Sequence, residues 1–153
     1  MHAVTKPLPV DTAARRKVAQ FLRDFIEGRI SNTDLDTKYP QRSDDPAVHA
    51  VSQRTWRFQD DFREHRLTGR FALSEGERDL LERCVLFMDN DLPYEWLSPF
   101  PAAAHWIASR LGLRPRSSPD RVRGDRSAWP SCRQRELDAA KGAGEQRDRW
   151  RTP

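Results

Sequence analysis

The sequence predicts an all-α protein, a compact bundle of about four helices followed by a disordered basic tail. Three observations carry this. Apolar residues recur at three- and four-residue steps in four separate segments, the period of a helix with one buried face. Helix start and stop residues bracket those segments. The one stretch with strand-like alternation, His65 to Leu73, has no second strand to pair with, and a lone strand is not stable.

The first helix opens after Pro7 and Pro9, with Asp11 as its cap, and carries Val18, Phe21, Leu22, Phe25 and Ile26 on one stripe. Gly28 comes next, where a left-handed residue closes a helix at least cost. Residues 29–44 are rich in turn formers; Ser31 or Asn32 caps a short turn bearing Leu35, and Tyr39-Pro40 is extended. Asp45-Pro46 then supplies a cap and the residue best suited to a first helical position. Val48, Val51, Thr55, Phe58 and Phe62 step onward by three and four, so the second long helix is expected to reach about Glu64.

Ser74 and Glu77 have the spacing of a capping box, in which each side chain satisfies an N–H at the helix start. The helix they open bears Leu80, Leu81, Cys84, Val85, Phe87 and Met88 on its dry face. Each such side chain contributes roughly 1.5–3 kcal/mol when buried, so this segment is the expected centre of the core. Asp89, Asn90 and Asp91 turn the chain and Pro93 keeps the helix from resuming. A fourth helix is expected over residues 101–111, with Ala103, Ala104, Ile107 and Leu111 inward and Gly112 as its stop.

The chain has 153 residues and a formal net charge of +4, with a mean hydropathy of -0.87. The charge is unevenly placed. Residues 1–113 hold 16 Lys and Arg against 17 Asp and Glu, and residues 114–153 hold 11 against 6. The reading divides accordingly: a helical domain over 1–113 and an Arg/Pro/Ser-rich tail over 114–153. The tail has too few aliphatic residues to offset the entropy of ordering and retains a helical tendency near Ser131 to Ala140.

No apolar run is long enough to cross a membrane, and residues 1–17 hold no apolar stretch of secretory length. A cytoplasmic location without membrane partners is expected. The two cysteines agree: Cys84 lies on an apolar helix face and Cys132 in the tail, which offers neither a disulfide framework nor a paired ligand set.

Four groups carry chemistry. Asp60, Asp61, Glu64 and His65 form i,i+4 pairs if helical, which suits a shared metal or proton; a solvated helix end explains them equally. His49 and His105 would join such a metal site only if the helices brought them together. There is no nucleophile elbow, no phosphate-binding glycine loop and no cysteine–histidine context, so the chain reads as a non-enzyme with no cofactor, no bound metal and no small-molecule substrate. The tail arginines, interleaved with Trp129 and Trp150, support weak, salt-sensitive and non-specific nucleic-acid contact.

The fourth group is Tyr94, Glu95 and Trp96, beside Asp89 and Asp91 and flanked by Pro93 and Pro99. Two amphipathic rings on a stiffened acidic loop suit a protein-binding hot spot. They suit a lid better still, both rings tucked under the bundle with hydroxyl and indole N–H on internal partners, since aromatics are most often core. The hot-spot reading makes these five residues the contact surface for an unknown protein partner. The metal-assisted enzyme and the nucleic-acid accessory stand as alternatives.

The runs Arg83-Cys84-Val85-Leu86-Phe87 and Asp91-Leu92-Pro93-Tyr94-Glu95-Trp96 resemble a family of small uncharacterised bacterial proteins with an Arg-aliphatic-Phe segment followed by Tyr-Glu-Trp-Pro. Residues 28–40, 43–48 and 58–69 are similar to that family as well, and the likeness spans about residues 15–113. Leu97 stands where the family has proline. The family has no established activity to carry over; some members resemble the small, variable proteins found beside bacterial toxin systems, which implies at most a binding role, of immunity type.

Overall fold

Asp11 begins the ordered helices: its carboxylate accepts the Ala14 N–H at 2.9 Å and so caps α1 (Thr12–Ile26). In this computed structural model, which describes residues 9–40, 42–60, 62–96 and 126–149, every regular element is helical and no strand occurs among the described residues. α1 ends where expected, at Gly28, whose φ of 68° lies in the left-handed region. A side chain there would also meet the Thr68 methyl at 2.8 Å.

α2 (Asn32–Lys38) is capped by Ser31, with the Asp34 side chain reaching back to complete a capping box. α3 (Pro46–Thr55) has Asp45 as its cap and runs into a single 3-10 turn, Trp56–Phe58. Residues 65–73 form a connector with a 3-10 turn at Gly69–Phe71. α4 (Glu75–Met88) starts on the reciprocal Ser74–Glu77 box. It lies at the centre: it packs most extensively on α1, and also on α3 and on α5 (Gln134–Arg149). Val18, Leu22, Phe25, Leu35, Val48, Val51, Leu81, Cys84, Phe87 and Met88 fill the interior between them. No helix among the described residues is long and apolar enough to cross a membrane.

The structure departs from the sequence expectation in two places. The second long helix stops at Thr55 instead of continuing to Glu64, although Phe58 still reaches the core, edge-on to Phe25 at 6.2 Å. The reason is tertiary. The buried Asn32 side chain donates to the carbonyls of Asp60 (3.4 Å) and Arg63 (3.2 Å) and accepts the His65 N–H at 2.8 Å. Asn32 N–H in turn donates to the His65 carbonyl at 3.0 Å. These bonds take the backbone groups a continuing helix would have used, and Phe62 is left 95% exposed.

The second departure is in the tail. Residues 126–133 form turns and 134–149 a helix, where disorder with a helical tendency near Ser131 to Ala140 was expected, and Ala128, Trp129, Cys132 and Leu137 are buried. Within α5, Leu137 is buried and Ala140 and Gly144 are half-buried, a narrow stripe of small residues that admits close approach to α4. Hydropathy summed over the tail hides such a stripe. The helix expected over residues 101–111, with His105, lies outside the described residues, as do residues 114–125.

Candidate interaction site

The site is the strip that leaves α4, Asp89 to Trp96, and the residue that fixes it is Arg15. Arg15 falls on the inward stripe of α1, three residues before Val18 and seven before Leu22, and its side chain is 1% exposed. A buried guanidinium is tolerable only when each of its nitrogens finds a partner. Here Nε donates to Asp45 Oδ2 at 2.6 Å and Nη2 to Asp45 Oδ1 at 3.1 Å, a two-point pair. Nη1 donates to the carbonyls of Asn90 at 3.0 Å and Leu92 at 2.7 Å. The guanidinium also stands over the Phe87 ring, 5.2 Å from its centre.

Asp45 is itself fully used. Its carboxylate accepts the Asp11 N–H at 2.9 Å and the Ala47 N–H at 2.9 Å. Asp11 meanwhile accepts Ser43 Oγ at 2.9 Å, and its carboxyl is held below the usual range, first by the Ala14 N–H and then by the Ser43 hydroxyl. One buried ion pair thus joins the starts of α1 and α3 to the backbone of the strip.

The strip is further pinned at both margins. Asp89 pairs with Arg23, and Asp91 accepts the Thr12 hydroxyl at 2.9 Å. Beyond Pro93, alternate residues face different surroundings. Tyr94 and Trp96 are half-buried, while Leu92, Pro93 and Glu95 are exposed. Tyr94 stands edge-on to Phe87 at 6.2 Å, and its hydroxyl accepts the Trp129 indole N–H at 3.1 Å. Burial pushes its phenol pKa up, against the pull of that hydrogen bond. The Trp96 indole N–H donates to the Ser131 carbonyl at 3.2 Å. Both rings therefore have the internal polar partners that the lid arrangement requires, and those partners come from residues 126–133.

Two arginines complete the contact with that segment. Arg83 of α4 donates to the carbonyls of Ser127 and, at 3.0 Å, Trp129, while the Arg54 guanidinium lies over the Trp129 ring at 5.1 Å. Cys84 close by is fully buried, so the helix face behind the strip is dry, and that burial pushes its thiol up to about 12.

Among the described residues, the other candidates, Asp60, Glu64, His65 and His49, do not gather at one site. Asp60, Glu64 and His65 sit in the irregular 59–68 segment, so the i,i+4 spacing that suggested a shared proton or metal does not apply to them; Asp61 lies outside the described residues. Glu64 accepts the Ser31 hydroxyl at 2.6 Å, Asp60 accepts the Phe62 N–H at 2.9 Å, and His65 stacks on Phe71 at 4.2 Å. His49 is engaged separately, its Nε2 2.5 Å from the Ser43 carbonyl oxygen. Among the described residues no three His, Cys, Asp or Glu side chains are placed to hold a metal ion.

Sequence reasoning missed Arg15, Asp45 as a buried charge, and the burial of Trp129, which it placed among tail residues available for stacking on nucleic acid. The signal for Arg15 was present: a cation on an otherwise apolar stripe implies a buried partner. For Trp129 the local composition gave none. Comparison with known proteins adds no relative, since no family model, curated protein or solved structure matches the chain.

Proposed function

We propose that this protein works by binding another protein, as a cytoplasmic module of regulatory or immunity type, with the Asp89–Trp96 strip as its contact surface. The observation that carries the reading is the hold of Arg15 on the Asn90 and Leu92 carbonyls. A loop fixed from within by a buried charge pays little ordering entropy on binding. What it holds outward is an exposed Leu92 between Asp91 and Glu95, an apolar contact with a charged rim of the kind interfaces use. Asp89, Asp91 and Glu95 are the residues assigned to its outward face, and Tyr94 and Trp96, turned toward residues 126–133, hold the strip from behind. The resemblance to small bacterial proteins found beside toxin systems agrees with a binding role, and the absence of a converging titratable cluster among the described residues gives no support to a metal-assisted reaction.

A photo-crosslinking residue at Glu95 of the intact chain, in the cell that makes it, tests this. A discrete adduct with one other protein, absent when the same residue replaces the exposed Gln53 of α3, is expected. Equal labelling at both positions, or none at Glu95, contradicts the reading.

A further inference from the structure

Resting on that reading, we infer that the inward side of the strip, Tyr94 and Trp96 with Arg83 and Arg54, is a peptide-recognition surface. Its resident occupant is this chain's own Ser127–Cys132, and the partner it fits is a peptide with a tryptophan followed by a turn.

The pattern of contacts makes the case. Three carbonyls of the segment, on Ser127, Trp129 and Ser131, are each met by a side-chain donor from the helical body: Arg83 takes the first two and the Trp96 indole the third. Alternate main-chain groups are thus read without reference to the residues that carry them. Specificity enters through the side chains, with Trp129 the largest and Ala128 and Cys132 buried beside it. The Trp129 ring is 8% exposed, lies under Arg54, and gives its indole N–H to Tyr94. Main-chain hydrogen bonds for affinity and a lodged side chain for selection are a division of labour known from peptide recognition, here applied to a segment folded in turns.

α5, which continues the chain beyond the segment, packs on α4 through a narrow stripe only. It is strongly hydrophilic; among its described side chains Leu137 alone is buried, and Gly142 and Gly144 lie in its interior, where glycine weakens a helix. Residues 97–126 separate Trp96 from the segment, a span of 30 residues. Ser127–Cys132 is therefore a tethered ligand whose advantage over a free peptide is its effective concentration. A partner peptide displaces it when abundant enough, and the intact chain binds such peptides more weakly than a chain whose own tryptophan is removed.

The test uses the full chain and a fluorescein-labelled peptide with the sequence of residues 126–137, followed by fluorescence polarisation. Trp129→Ala, with unchanged far-ultraviolet dichroism, is expected to bind the probe at least about tenfold more tightly than the wild type, and adding Arg83→Ala is expected to abolish the gain. A folded Trp129→Ala chain that ignores the probe, or a gain indifferent to Arg83→Ala, overturns the inference.

Should Trp129→Ala fail to fold, a protease site placed within residues 97–125 of the wild type decides the matter. After cleavage, the two fragments are expected to separate on dilution and on addition of the probe. Fragments that stay together whatever the dilution and probe, or that never associate, overturn it. Because no cellular partner enters these assays, their failure leaves the outward Leu92 and Glu95 face to be judged by crosslinking alone.

Discussion

Arg15 and Asp45 meet at two points, 2.6 and 3.1 Å, with side chains 1% and 0% exposed. Asp45 also caps α3 and accepts the N–H of Asp11, so the pair fixes three chain segments at once. Removing one partner of such a pair strands the other charge, at a cost of about 3–5 kcal/mol. Arg15→Met and Asp45→Asn are each expected to destabilise the protein by that amount in urea unfolding. The double variant is expected to cost clearly less than the sum, because it strands no charge. Strict additivity contradicts the pairing. Arg15→Lys is expected to be poor, since an ammonium lacks the planar fork that reaches Asp45 and both carbonyls.

Asn32 is the corresponding clamp on the other side of the core, holding Asp60, Arg63 and His65 through its side-chain amide. Asn32→Ala leaves these backbone groups to water, at a cost of about 1–3 kcal/mol. Hydrogen exchange checks the local claim: the His65 amide is expected to lose protection out of proportion to the core amides of α4. A uniform loss would point to a global effect.

The capping carboxylates set an acid response. Glu77 is held below its ordinary 4.5 by the Ser74 N–H and then the Ser74 hydroxyl, and Asp11 is held below 3.8 by the Ala14 N–H. In the unfolded chain these groups take up protons near their ordinary values; in the folded chain they do so at lower pH. The unfolded state therefore binds more protons in that window, and stability falls as pH falls through it. The Tm difference between wild type and Glu77→Gln is expected to be constant above about pH 5.5 and to shrink below about pH 4.5. A difference that grows on acidification contradicts the assigned sign.

Cys84 is fully buried, and its thiol is raised to about 12 by that burial. It stays protonated and inaccessible at pH 8, so in a Cys132→Ser chain its reaction with an aromatic disulfide reagent is expected to be at least about 100-fold slower than in urea. Similar rates in the two conditions would place Cys84 outside the core.

Much of this architecture is legible residue by residue. Asp11, Ser31, Asp45 and Ser74 announce their helices because capping is local chemistry, written within three or four positions. The stripe of α4 is equally plain. The end of α3 is not, because the apolar step to Phe62 continues while the hydrogen bonds that break the helix come from Asn32, some thirty residues away. The order in residues 126–149 is hidden for a similar reason. An Ala/Gly stripe and one tryptophan have too little hydrophobicity to register alone, and they become a docking face only against α4 and the strip. Tyr94 and Trp96 stand out as unusual from composition, but the carbonyls and indole that meet them are distant in sequence.

Both the strip and its occupant depend on residues 126–133 lying against Tyr94 and Trp96 in the intact protein. Indole N–H exchange, resolved by single Trp→Phe variants, measures this directly. The Trp96 and Trp129 indoles, bonded to Ser131 and Tyr94, are expected to exchange at least about tenfold more slowly than that of Trp56, which is 61% exposed. Exchange of all three at one rate would mean that the segment does not dock and that the strip stands bare.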